Sequence, residues 1–124
     1  MMPREDFERL VAEAVEALPP EFKDKLENIA VVVADWPSPY QLSKVGIKNR
    51  ENLLGLYEGV PRPHRGTGYN LVPPDKITIF RRPLELRCRS SEELVREIRR
   101  VVRHEIAHHF GLDDHRLREI EGRN

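Results

Sequence analysis

Four of the five histidines in this chain of 124 residues fall in one stretch, VVRHEIAHHFGLDDH, between positions 101 and 115. His104 and His108 stand four residues apart, so on a helix they share one face. That spacing lets two imidazole nitrogens reach a single metal ion. On a helical wheel Leu94, Ile98, Val101, Val102 and Ile106 form one apolar arc, with Arg96, Arg99, Arg100 and Arg103 on the far side. His104 and His108 sit at the edge of the arc, and Glu105 projects between that edge and the core. His109 falls near the middle of the arc, where a buried, hydrogen-bonded histidine is expected rather than a ligand.

These side chains need a helix beneath them, and the sequence supplies its signals. Ser90 and Glu93 spell a capping box ahead of LVREIRRVVRHEIAHHF, which predicts a helix over residues 90–110. Gly111 supplies the stop, because glycine takes the left-handed conformation that ends helices. DDHRLREI then reads as a short final helix. Upstream, Phe7, Leu10, Val11, Ala14, Val15 and Leu18 follow helical spacing from Pro3 until Pro19 and Pro20 end it. Pro20 opens a short second helix carrying Phe22 and Leu26.

Three strands are expected: residues 28–34 (NIAVVVA), residues 53–59 (LLGLYEG) and residues 76–80 (KITIF). The stretch DWPSPYQLSKVGIKNREN reads as irregular, RRPLELRCR as a short helical turn, and VPRPHRGTGYNLVPPD as a long loop of the kind that often carries function. Helix, strands and then helices make an α+β domain: a short mixed sheet packed on the histidine-bearing helix. One domain across residues 1–124 is expected from the length.

Composition excludes some classes. The 21 basic and 21 acidic residues balance to zero net charge, so no global pull towards nucleic acid or an anionic membrane exists. Cys88 is the single cysteine, which rules out an intramolecular disulfide and a cysteine-rich zinc ribbon. The charged start, MMPREDFERL, has no secretory core, and the longest aliphatic run, IAVVVA, is too short to span a bilayer. A cytoplasmic protein with no membrane partner is the expectation, with oligomeric state open.

The stretch HEIAHHFGLDD, residues 104–114, resembles the extended H-E-x-x-H-x-x-G-x-x-(H/D) signature of metzincin-type zinc metallopeptidases, in the variant with aspartate last. The likeness is to small bacterial minimal zincins of similar length, and it extends through LLGLYEGVP and ITIF. The resemblance implies a zinc ion held by His104, His108 and Asp114, with Gly111 turning the chain so that Asp114 returns to the metal. It implies Glu105 as general base, peptide bonds as the target, and a peptide or protein as the substrate. Three protein ligands leave a fourth position open, the mark of a catalytic zinc site. Metzincins also carry a methionine turn beneath the metal; the only methionines here are Met1 and Met2.

Several neighbours carry alternatives. His115 is the reserve for Asp114 as third ligand. Asp113 either orients a ligating histidine or caps the final helix. His64 and Tyr69 in the long loop, and Tyr57 in the second strand, are candidates for substrate contact, weighed against an exposed loop histidine and ordinary packing. Cys88 reads as a buried free thiol rather than a cysteine switch, and Glu97 as a surface residue. Zincins bind extended substrate along an edge strand, and residues 76–80 or their neighbour are the candidate edge. Two other functions compete with hydrolysis of peptides. A bacterial ribosomal-RNA endonuclease family has a similar H-G-x-x-H-x-x-G-x-D-H pattern, but Glu105 replaces its glycine. Arg81, Arg82, Arg87 and Arg89 are the residues that could meet RNA phosphates. The third reading is a zincin shell that binds a partner without catalysis.

Overall fold

Apolar residues at helical spacing make the first element α1 (Arg4–Glu16), which buries Phe7, Val11 and Ala14. The computed structural model describes residues 2–23, 26, 29–59 and 75–109. Pro3 is the N-cap of α1 rather than its first residue, and its carbonyl accepts from the Asp6 and Phe7 N–H groups, each at 3.1 Å. Then come α2 (Pro20–Lys23), β1 (Ile29–Ala34), α3 (Pro39–Val45), a 3-10 turn (Arg50–Asn52), β2 (Gly55–Glu58), β3 (Asp75–Phe80), α4 (Arg81–Arg87) and α5 (Ser91–His109). The domain is α+β, as expected, with a mixed three-stranded sheet.

Two expectations need correction. The stretch after Ala34 holds α3, which an irregular reading missed. Its signal is a capping box at Ser38: the Gln41 N–H donates to Ser38 Oγ at 3.1 Å and the Gln41 side chain accepts from the Ser38 N–H at 2.9 Å. Pro39 opens the helix and Gly46, at φ 70°, closes it. No residue on α3 is fully buried, so no apolar stripe announces it.

The second correction concerns residues 76–80. The sheet order is β1-β3-β2, with β3 parallel to β1 and antiparallel to β2. Among the described strands KITIF is therefore central, and the edge candidate is its neighbour β2, the other of the two strands offered. Burial gives the reason. Ile77 and Ile79 are fully buried on one face, while Thr78 and Phe80 are buried on the other, so both faces of β3 are covered.

The main core lies between the sheet and the helices. Ile77, Ile79 and Val33 meet Phe7 and Val11 of α1 and Leu94, Ile98, Val101, Val102 and Ile106 of α5. A smaller cluster on the opposite face joins Leu53, Leu56 and Phe80 to Leu42 and Ile47. Phe7 is fully buried, so Phe7→Ala is expected to cost about 3–5 kcal/mol. A urea titration reads this as a lowered midpoint at unchanged slope.

Ion pairs tie the far end of the sheet. Arg81 is buried; its Nε donates to Asp35 Oδ1 at 3.0 Å and its Nη1 to the Met2 carbonyl at 3.0 Å. The hydrogen bond from Arg81 holds the Asp35 carboxyl below its ordinary range. Arg82 pairs with Glu85 at 3.1 Å. Burial of Arg81 in its hydrogen bonds takes it out of the set proposed for RNA phosphates. Cys88 is a buried free thiol, and burial pushes its pKa up. No helix among the described residues is long and apolar enough to cross a membrane.

Candidate metal centre

The site is built on the last three turns of α5. Ser90 Oγ accepts from the Glu93 N–H at 3.1 Å, the first half of the expected box. The Glu93 carboxylate returns to the Arg89 N–H at 3.3 Å, one residue before the expected one. From that start the apolar stripe falls on the core: Leu94, Ile98, Val102 and Ile106 are fully buried. The histidines are carried to its rim, His104 half-buried and His108 exposed. Their rings lie 4.4 Å apart between centroids.

Glu105 sits deeper than either histidine, at 6% exposure. Burial raises its pKa, and the opposing pulls of His108, His104 and a hydrogen bond from the Tyr57 main-chain N–H are weaker. One potential ligand atom from each of His104, Glu105 and His108 lies within 4.8 Å of the others. Two imidazoles and a carboxylate at that separation form a donor set that suits a borderline divalent ion such as zinc.

β2 closes the other side. Gly55 faces α5 so closely that an added Cβ would lie 2.8 Å from Val101 Cγ1 and 3.0 Å from Glu105 Cγ. A side chain there would separate strand and helix, and the strand's main chain could not stay against Glu105. Between β2, the segment leading into it and α5 runs a groove of about 450 Å³. Ile47, Leu54 and Leu56 give it an apolar wall; His104, Glu105 and His108 line the other.

Residues 26–123 match the family model of zincin-like metallopeptidases. The chain belongs to that family. No curated protein matches it. The match to the zincin-like family begins after α2, so α1 lies outside it although α1 packs on the helix that carries the histidines. Membership supports a divalent metal, zinc in most such proteins, and peptides as the substrate class.

The structure places three of the four expected site residues, His104, Glu105 and His108, in one group. Asp114, its reserve His115, Asp113, Gly111 and the short final helix lie outside the described residues, as do His64 and Tyr69. Tyr57 is engaged: its hydroxyl donates to Asp75 Oδ2 at 2.9 Å. Glu97 pairs with Arg100 at 2.9 Å on the surface. Sequence reading passed over Gly55 and Asp75. An isolated glycine within a strand is a sign of close backbone approach, so Gly55 had a signal; Asp75, following two prolines, looks like a turn residue.

Proposed function

We propose that this zincin-like protein is a zinc-dependent peptidase in which His104, His108 and Asp114 hold the metal and Glu105 is the general base. The observation that carries this reading is the position of Glu105: buried against β2, beside two imidazoles that open on the groove. A divalent ion held there supplies Lewis acidity, acidifying water towards neutral pH and polarising a carbonyl.

The chain's own groups supply the rest. His104 and His108 offer ring nitrogens from one helix face. Glu105 takes a proton from water at its carboxylate and passes it to the leaving amine. Its raised pKa suits both acts, because a base poised nearer neutrality also gives the proton back readily. The Tyr57 N–H on the carboxylate fixes where that proton is held. The apolar wall of Ile47, Leu54 and Leu56 favours an apolar side chain next to the scissile bond and excludes water from that side. β2, the neighbour of residues 76–80, is the edge among the described strands along which an extended peptide would pair.

A mixture of unstructured peptides and a mixture of short RNAs, each incubated with the zinc-loaded protein with and without a chelator, tests the proposal. Chelator-sensitive cleavage of peptides alone is the expected result. Cleavage of RNA alone would overturn it in favour of the endonuclease reading, and retention of uncut peptide in favour of a binding protein.

A further inference from the structure

Two strand residues advance about 6.7 Å and four helix residues about 6 Å. Side chains on the α5-facing side of β2 therefore keep step with one stripe of the helix. Gly55 meets Val101 and Glu105. Tyr57, two residues on, meets His109, with ring centroids 5.0 Å apart and planes crossed at 69°. The Tyr57 main chain holds Glu105, and its hydroxyl donates to Asp75 Oδ2 at 2.9 Å. His109 Nδ1 lies 3.7 Å from that same oxygen, beyond direct hydrogen-bond reach. Asp75, at 2% exposure, is the first residue of the central strand.

These contacts converge on the last described turn of α5. His108 is exposed and cannot anchor the turn by burial. Ala107 is buried but short. Ile106 seats that turn in the core, and His109 adds a second seat, made of Tyr57 and Asp75.

We propose that Tyr57 is a positioning residue for the metal centre: by its hydroxyl on Asp75 and its ring on His109 it clamps the last turn of α5 to the β2–β3 pair and so fixes His108 relative to His104 and Glu105. This rests on the assignment of His104 and His108 as ligands. Tyr57 touches neither metal nor substrate in this role. Its contribution is that the two imidazoles are already aligned when the ion arrives.

The test compares zinc affinity, by competition with a chromophoric chelator, with thermal stability of the metal-free protein. Tyr57→Phe keeps the ring but removes the donor to a buried carboxylate; Asp75→Leu removes the acceptor. Each is expected to weaken zinc binding by about tenfold or more, the range for groups that orient metal ligands, and to lower the melting temperature. If Tyr57→Phe does not fold, Asp75→Leu reads the same bond from its other end. The double variant removes the Tyr57 donor and its acceptor together, so it recovers stability relative to the singles, yet its zinc affinity stays low. Wild-type affinity in either single variant, or affinity that returns together with stability in the double, would overturn the clamp. Failure of the wild type to bind zinc would instead remove the ligand assignment beneath it.

Discussion

Glu105→Gln leaves a folded, zinc-binding protein that cleaves peptide at least about a hundredfold more slowly, the usual minimum for loss of a general base. The amide has nearly the same size and can still accept the Tyr57 N–H, so the floor of the groove keeps its shape. What disappears is a site for the proton. A kcat/KM comparison on one cleaved peptide reads the loss, and wild-type activity in the variant would remove Glu105 from the chemistry.

The same substitution has an opposite effect on stability. Burial raises the pKa of Glu105 in the fold. Between its ordinary value and the raised one, the folded metal-free chain holds a proton that the unfolded chain has released. Its stability contribution is therefore complete at lower pH and is lost as pH rises through that window. Glutamine never ionises and escapes the loss. Metal-free Glu105→Gln is thus expected to melt above wild type at neutral pH, with the difference shrinking on acidification. A variant less active but more stable is the signature of a carboxylate kept buried for function.

Gly55→Ala should be costly in both respects. The new methyl would lie 2.8 Å from Val101 Cγ1, 3.0 Å from Glu105 Cγ and 3.4 Å from the Thr78 carbonyl oxygen. Valine on a helix is held near one rotamer, and Val101 is 4% exposed, so little can yield except the spacing of β2 and α5. Overpacking costs about 1–3 kcal/mol, offset by roughly 0.5–1 kcal/mol that alanine gains over glycine in a strand. A net loss on the order of 1–2 kcal/mol should appear in urea unfolding. Activity should fall further than this implies, because a shift of about 1 Å at a reacting group can cost a hundredfold. Gly46→Ala is the control. Its φ of 70° strains any side chain, but nothing lies within 4 Å of the new Cβ; it should lose stability while keeping kcat/KM.

The helix at the centre of this account was legible because its signals agree. A Ser90 cap, a stripe at every third or fourth position and a histidine pair on the rim all specify one helix in one orientation. Burial follows the stripe, from Leu94 to Ile106. α3 was not legible by the same route: it has no fully buried residue, only a partly buried Leu42, and the Ser38–Gln41 box is what marks it. KITIF alternates well enough to suggest a strand, and it is one of two candidates for the edge. Thr78 breaks that reading, since it is 2% exposed on the face that Phe80 shares, and a central strand is the outcome.

The site divides in the same manner. His104, Glu105 and His108 lie on one helix, so local spacing was enough to bring them together. Asp75 and Tyr57 are 18 residues apart and meet through the pairing of β2 with β3. Nothing in the sequence around either residue reports that register. Gly55 shows how a strand residue without a side chain decides where a catalytic carboxylate sits.

The central claim is that His104 and His108 hold a metal ion. Elemental analysis of wild type and His108→Ala, purified with neither added metal nor chelator, tests it most directly. About one zinc per wild-type chain, lost in a variant that still folds, is the predicted result, since structural and catalytic sites alike fail when one of few ligands goes. A wild-type chain without zinc that also takes up none at neutral pH, or a variant that keeps its metal, would contradict it.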